Sequence, residues 1–263
     1  MSAYPRRVAG RRWIGLSTLI VRECGVILQF WGYTVAPPII TTILYFAIFG
    51  EVIGKRVGPM GGVDYIQYIS PGLIMLWTIV QAYGHTAGGL VGARFFKYIE
   101  ELLVAPLPDW IVVVGYVISG VIRGILVGVT VLIITLVFTR LQIHSVAASG
   151  AVLLLTALAS SVAGIIAALF AKSFEQIYGV QNFVLTPLLY VGGIFSSVST
   201  LPTWAQRLSL VNPMFYAING FRFGLLGVSD VPFRVSMSLV AAVGLLLFVA
   251  AVLLMRHGVG IRG

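Results

Sequence analysis

The strongest constraint in this sequence is a pair of long stretches with no formal charge. Residues 141–171 contain none, and neither do residues 176–206. At 1.5 Å per residue, about 20 apolar residues cross the roughly 30 Å hydrocarbon layer of a bilayer, with about 17 as the lower limit. Spans at 146–170 and 178–198 therefore fit inside these two stretches. Four further apolar runs reach the same length, at 34–50, 66–90, 111–138 and 235–255. Lipid offers backbone N–H and C=O groups no partners, so a chain of such runs satisfies its own hydrogen bonds as helices. The expected class is an all-α integral membrane protein with six transmembrane helices.

Composition agrees. Hydrophobic residues make up 59% and charged residues 10%, against about 25% charged in a soluble domain. This excludes disordered, collagen-like and ordinary soluble enzymes. The net charge of +9, from 17 basic and 8 acidic side chains, would suggest nucleic acid in a soluble protein. In a membrane chain, basic residues gather at cytoplasmic ends, so no nucleic-acid partner is expected. Cys24 is the only cysteine, which excludes an intrachain disulfide and a cysteine-rich metal site. The arginines at 6, 7, 11 and 12 imitate a signal sequence, but Arg22 and Glu23 interrupt its apolar core. Pro37 follows Val35-Ala36, a poor cleavage context, and the segment reads as mature protein.

Residues 208–228 are apolar but broken by Asn212, Pro213, Gly220, Arg222 and Gly224. Broken backbone is tolerated at membrane depth only where protein or water covers it, so a re-entrant helical hairpin is expected in 199–234. With both termini cytoplasmic, ten basic residues lie inside and six outside, with Arg123 within a span, and this bias favours that orientation.

Two segments read as helices lying outside the spans. In residues 1–31, Trp13, Leu16, Ile20, Cys24, Ile27 and Trp31 recur at three- and four-residue intervals, opposite Arg11, Arg12, Arg22 and Glu23. The pattern suits an amphipathic helix at the lipid interface, and it fits both a simple anchor and a partner-binding surface. Between the second and third spans, Phe95, Ile99 and Leu102 share one helical face and Lys97 and Glu101 another, before Pro106 and Pro108 end the helix. Glu100, Glu101, Asp109 and Glu175 are half of the acidic residues. This knob fits docking into another protein's cleft as well as it fits a solvated loop.

Gly120, Gly124 and Gly128 repeat every fourth residue in the third span, and Gly84 and Gly88 do so in the second. Such faces let helices approach closely. Pro71 and Pro187 are expected to kink their helices. Arg123 is charged within a span, which makes it a functional candidate. A structural role, bonding helix-end carbonyls or the hairpin, and a substrate or gating role are both open. Catalytic motifs are missing. Gly50 to Arg56 lacks the spacing and hydroxyl of a P-loop, His85, His144 and His257 are scattered, and the Gly258-Val259-Gly260 motif has no helix after it. The spans carry no carboxylate of the kind ion-coupled carriers use. No catalytic residue, metal site or bound cofactor is expected.

The run Ile99-Glu100-Glu101-Leu102-Leu103-Val104-Ala105-Pro106-Leu107-Pro108, the segment 115–124, and Leu210-Val211-Asn212-Pro213-Met214-Phe215-Tyr216 through Arg222 resemble the membrane subunits of ABC type-2 transporters. The likeness is nearest to the YadH-like bacterial exporter permeases and spans nearly the whole chain. It implies one domain over 1–263, with an interface helix (1–31), spans one to five (34–198), a re-entrant outer segment (199–234) and a sixth span (235–255). It also implies a homodimer in the bacterial inner membrane, each copy docked on a separate ATP-binding-cassette ATPase that carries ATP and magnesium. Under this resemblance Trp13, Arg22 and Glu23 belong to the interface helix. Phe95, Lys97, Ile99, Glu100, Glu101 and Leu102 form the coupling helix that meets the ATPase. Tyr45, Phe49, Trp77, Tyr190 and Phe195 are candidates to line the path, and Asn212, Pro213 and Arg222 lie in the re-entrant segment. The sequence names no cargo. The competing expectation is a passive channel or secondary carrier working without an ATPase.

Overall fold

The computed structural model describes residues 4–54, 56, 58–96, 108–139 and 141–259, with only the backbone of 4–12, 51–53 and 109. Regular structure among these residues is helical, apart from one isolated bridge between Met60 and Val63. Helix α1 runs Tyr4–Gln29 and α2 Trp31–Tyr45, the latter continuing as a wider π-helical stretch, Phe46–Gly54. Then come α3 (Tyr65–Phe95), α4 (Asp109–Phe138), α5 (Val146–Phe170), α6 (Phe174–Val180), α7 (Thr186–Val191), α8 (Thr203–Val211), α9 (Pro213–Leu226) and α10 (Phe233–Arg256).

Four helical segments among the described residues are long and apolar enough to cross a membrane: Trp31–Gly50, Trp110–Phe138, Val146–Phe170 and Phe233–Arg256. The other two expected spans differ for physical reasons. Helix α3 is long enough but more polar, because it is the centre of the bundle. It packs against α4, α5 and α9, so protein rather than lipid covers Ser70, Thr78, His85 and Thr86. The hydroxyls of Ser70, Thr78 and Thr86 donate to the carbonyls of Ile66, Ile74 and Ala82 one turn back, at 2.6, 2.8 and 2.8 Å, which removes most of the cost of burying them. The expected span 178–198 is not one helix. It starts in α6, widens over Gln181–Leu185, resumes as α7 at Thr186, and stops at Val191. Pro187 has no N–H to continue the regular ladder, and the Thr186 hydroxyl donates to the Gln181 carbonyl five residues back, at 3.0 Å. Gly193 then turns the chain with φ of +84°, a conformation open to glycine at little cost.

Two apolar clusters divide the bundle along its length. One joins Leu19 of α1, Leu90 and Val91 near the end of α3, Val112 and Val113 at the start of α4, Leu169 at the end of α5, and Met255 at the end of α10. The other joins Phe46, Tyr65, Ile69, Val131, Val152, Phe221 and Val240. Helix α1, the Phe95 end of α3 and the Arg256 end of α10 therefore share one end of the bundle.

Helices α8 and α9 break at Asn212-Pro213, as the sequence implied. Asn212 accepts a hydrogen bond from the Met214 N–H at 3.0 Å, capping α9, and donates from Nδ2 to the Leu188 carbonyl at 2.5 Å. Pro213 occupies the first turn of α9, where its missing N–H costs nothing. Asn212→Ala loses both the cap and the tie to α7, and a destabilisation of about 1–2 kcal/mol is expected. Thermal melting of the detergent-solubilised protein checks this.

The glycines of the third span behave as expected, within the subunit. A Cβ on Gly124 would lie 2.8 Å from the Ala82 Cβ and 3.0 Å from the Thr78 carbonyl oxygen, while one on Gly120 would lie 2.6 Å from the Ser161 hydroxyl. These faces seat α4 against α3 and α5. Gly88 differs, because a Cβ there meets nothing within 4 Å. It faces open space rather than a neighbouring helix.

Candidate functional site

Gln81 and His85 lie one turn apart on α3 and so share a face. Across from them, Arg123 of α4 donates from Nε to Gln81 Oε1 at 3.1 Å and from Nη1 to His85 Nδ1 at 3.3 Å. A guanidinium can only donate, so Nδ1 accepts and a neutral His85 carries its proton on Nε2. That nitrogen lies 3.8 Å from Glu23 Oε2 of α1. Glu23 in turn accepts from Arg22 at 2.8 Å, and Arg22 also donates to the Tyr116 hydroxyl of α4 at 3.2 Å. Gln81 Nε2 reaches the Thr34 carbonyl of α2 at 3.4 Å. One polar chain thus links α1, α2, α3 and α4 beside a cavity of about 620 Å³ that includes Gly84, Gly88 and Gly92 in its wall.

This arrangement differs from the sequence expectation at two points. Arg123 bonds side chains of α3, not helix-end carbonyls or the hairpin. Glu23, expected on the polar face of α1, is only 5% exposed. Trp13 and Trp31, expected to face the acyl boundary of the bilayer, are 70% and 66% exposed, while the face of α1 that meets protein is Leu16, Leu19, Glu23 and Ile27. The burial follows from α4: Leu19 packs onto Gly115, which has no side chain to hold it off, and one helical turn on, Glu23 is carried against Tyr116. Gln81 and His85 were missed as site residues. Their signal was legible, since two polar residues one turn apart in a glycine-rich apolar helix are costly unless something meets them.

The expected path residues fall largely into one group. Phe49 and Phe195 stack with ring centroids 5.0 Å apart. Tyr45 lies 5.7 Å from Phe49 and 5.8 Å from Phe195, and Tyr190 is 5.8 Å from Phe195. The Tyr65 hydroxyl donates to the Phe195 carbonyl at 3.1 Å. Trp77 is half-buried against the second apolar cluster. Of the coupling residues, Phe95 is exposed at the end of α3. Lys97, Ile99, Glu100, Glu101 and Leu102 lie outside the described residues.

Arg222 of α9 is 1% exposed. It donates to the Gly193 carbonyl at 2.5 Å, lies 4.1 Å over the Tyr68 ring, and pairs with Asp230 at 3.9 Å. Asp230 also accepts from the Ser197 hydroxyl at 2.6 Å, so this arginine pins the 193–200 turn to α9. No group of three or more metal-binding side chains occurs among the described residues.

The profile of the ABC-2 type transporter family matches residues 15–226. The chain belongs to the ABC-2 type transporter family. An ABC-2 permease is a membrane subunit without enzymatic chemistry of its own. The chain is 43% identical over 250 residues to the inner membrane transport permease YadH of Escherichia coli K12, covering 95% of this chain and 98% of that protein. It is 24% identical over 189 residues to nodulation protein J of Rhizobium leguminosarum bv. viciae, covering 70% and 72%. The family match contains α3, α4, α5 and the α8–α9 pair, so all three constellations, Asp230 apart, lie inside the family domain.

Proposed function

We propose that this ABC-2 permease is the membrane half of an ATP-driven exporter in the bacterial inner membrane, working as a homodimer with a separate ATP-binding-cassette ATPase on each copy. The observation that carries this reading is the 43% identity, over nearly the full length of both chains, to an inner membrane transport permease. In this reading the chain crosses the membrane six times, by α2, α3, α4, α5, the α6–α7 segment and α10. The α8–α9 pair dips in from the outer side and returns. The shared position of α1 and the Arg256 end of α10 at one end of the bundle supports an even number of crossings, and the basic residues near both termini support a cytoplasmic placement of that end. ATP and magnesium belong to the partner. ATP binding draws the two ATPases together, the segment 95–103 follows, and the permease equilibrium shifts between inward and outward access. Tyr45, Phe49, Trp77, Tyr190 and Phe195 are the side chains proposed to line the route. A lipid, a polysaccharide or a drug is the class of cargo.

The test is affinity purification of the chain from its native membrane in mild detergent, followed by mass spectrometry and an ATPase assay. A stoichiometric P-loop ATPase is expected. Glu100→Lys combined with Glu101→Lys is expected to abolish transport and permease-dependent ATPase stimulation, with expression unchanged. A preparation free of any nucleotide-hydrolysing partner across several detergents overturns the reading in favour of a passive channel or carrier. Normal stimulation in the double variant removes the coupling role of 95–103.

A further inference from the structure

The cavity between α1, α3, α4 and α6 holds more polar capacity than its own walls use. Arg22 already pairs with Glu23. Arg123 spends its hydrogen bonds on two neutral groups, Gln81 and His85, and no carboxylate among the described residues pairs with it. Among the described residues lining the cavity, two guanidinium groups stand against one carboxylate, an excess of positive charge. His85 adds a donor. Its side chain is 4% exposed, its Nε2 lies 3.8 Å from Glu23 Oε2, too far for a hydrogen bond, with no other partner in reach, and the tautomer fixed by Arg123 puts the proton on that nitrogen. A buried donor without a partner costs about 1–3 kcal/mol, and an acceptor placed in the cavity would relieve that cost.

The rest of the wall says what kind of acceptor fits. Val26, Phe96 and Phe174 are apolar, and the glycine face of α3 leaves room, most clearly at Gly88, where an added Cβ would meet nothing. On the side of α1 turned away from the cavity, Val21 and Leu28 are exposed, as is Trp13, an apolar surface suited to the acyl boundary of a bilayer. A positive, donor-bearing pocket with apolar walls next to an interfacial helix matches an amphiphile with an anionic head. Arginine pairs are the usual partners of phosphate oxygens.

We propose that this cavity seats the phosphate of a lipid headgroup, with Arg123 and Arg22 facing the phosphate oxygens and His85 donating from Nε2. The lipid's chains leave past Val26 and Phe174 toward the bilayer. The same site makes a phosphate-bearing lipid the class of cargo that loads into the transporter, and only this last step rests on the exporter reading above.

Binding to the purified full-length chain in a neutral detergent tests the site without an ATPase or a transport assay. The probes are dioctanoyl phosphatidic acid, dioctanoylglycerol and inorganic phosphate, read by native mass spectrometry and tryptophan fluorescence. Phosphatidic acid is expected to bind at least tenfold more tightly than dioctanoylglycerol, and millimolar phosphate is expected not to displace it. Arg123→Gln is expected to weaken phosphatidic acid binding at least tenfold, with Arg123→Lys retaining part of it. Gly88→Leu fills the cavity from a position with open space around it and is expected to abolish binding with an unchanged elution profile. The exposed Arg207→Gln is the control that keeps full affinity. Equal affinity for phosphatidic acid and dioctanoylglycerol overturns the proposal, and so does full affinity in a natively eluting Gly88→Leu. Displacement by inorganic phosphate at comparable affinity overturns the lipid assignment in favour of a soluble anion. Each of these failures leaves the exporter reading standing, and a failed search for the ATPase leaves this binding result standing.

Discussion

Gly120→Leu is expected to prevent accumulation of a folded, monodisperse protein. The added Cβ alone would lie 2.6 Å from the Ser161 hydroxyl of α5 and 3.0 Å from the Ala82 carbonyl oxygen of α3, in addition to overlapping the Thr86 hydroxyl. Two of these neighbours are short side chains and the third is backbone, so nothing at the site can swing away. Overpacking a tight contact commonly costs about 1–3 kcal/mol and sometimes more, and a leucine adds three further carbons to the overlap. The whole stability of a domain is about 5–15 kcal/mol. Fluorescence-detected size exclusion of a tagged variant is expected to show loss of the native peak. Gly88→Ala, in the same kind of glycine-every-fourth pattern, is expected to be neutral or to stabilise by up to about 1 kcal/mol through helix propensity, because nothing opposes the methyl group. A native peak for Gly120→Leu would mean that α4 does not press on α3 and α5 as described.

Arg222→Ala is the second change with a large expected effect. The guanidinium is fully enclosed, bonded to the Gly193 carbonyl, placed over the Tyr68 ring and paired with Asp230. Removing it strips Asp230 of its cationic partner, leaves the Gly193 carbonyl without this donor and opens a cavity. Losing a fully enclosed side chain together with its hydrogen bond to the Gly193 carbonyl costs about 2–5 kcal/mol, which corresponds to a fall in melting temperature on the order of 10 °C for a chain of this size. Arg222→Lys keeps the charge but has no planar fork to span Gly193 and Asp230 or to lie flat on Tyr68, so it is expected to fall between alanine and the native residue. A melt of Arg222→Ala within 2 °C of the native protein would rule out a pinning role for the 193–200 turn.

Much of the helical layout was legible because its signals are local. The break at Asn212-Pro213 and the close approach of Gly120 and Gly124 depend on residue type and spacing within a few turns. The end of α7 at Val191 was less legible, since the residues up to Val198 are apolar enough to continue a span. Pro187 and Gly193 decide otherwise, one by withholding an N–H and the other by turning the backbone. The sequence placed 66–90 among the apolar runs without indicating what covers its polar residues. Its neighbours make it an interior helix, where back-bonded hydroxyls and a buried histidine are tolerated.

The sequence by itself determined the class of this protein. Long uncharged runs, scarce charge and glycines at four-residue spacing admit a helical membrane bundle and little else, because the bilayer imposes those requirements on each segment separately. Only the tertiary structure decided which charges meet. Glu23, His85 and Arg123 stand 62 and 38 residues apart along the chain, and no local pattern relates them. They converge because Leu19 settles on Gly115 and the glycine face of α4 lets α3 come close. Electrostatic partnership depends on distance in space, which packing sets.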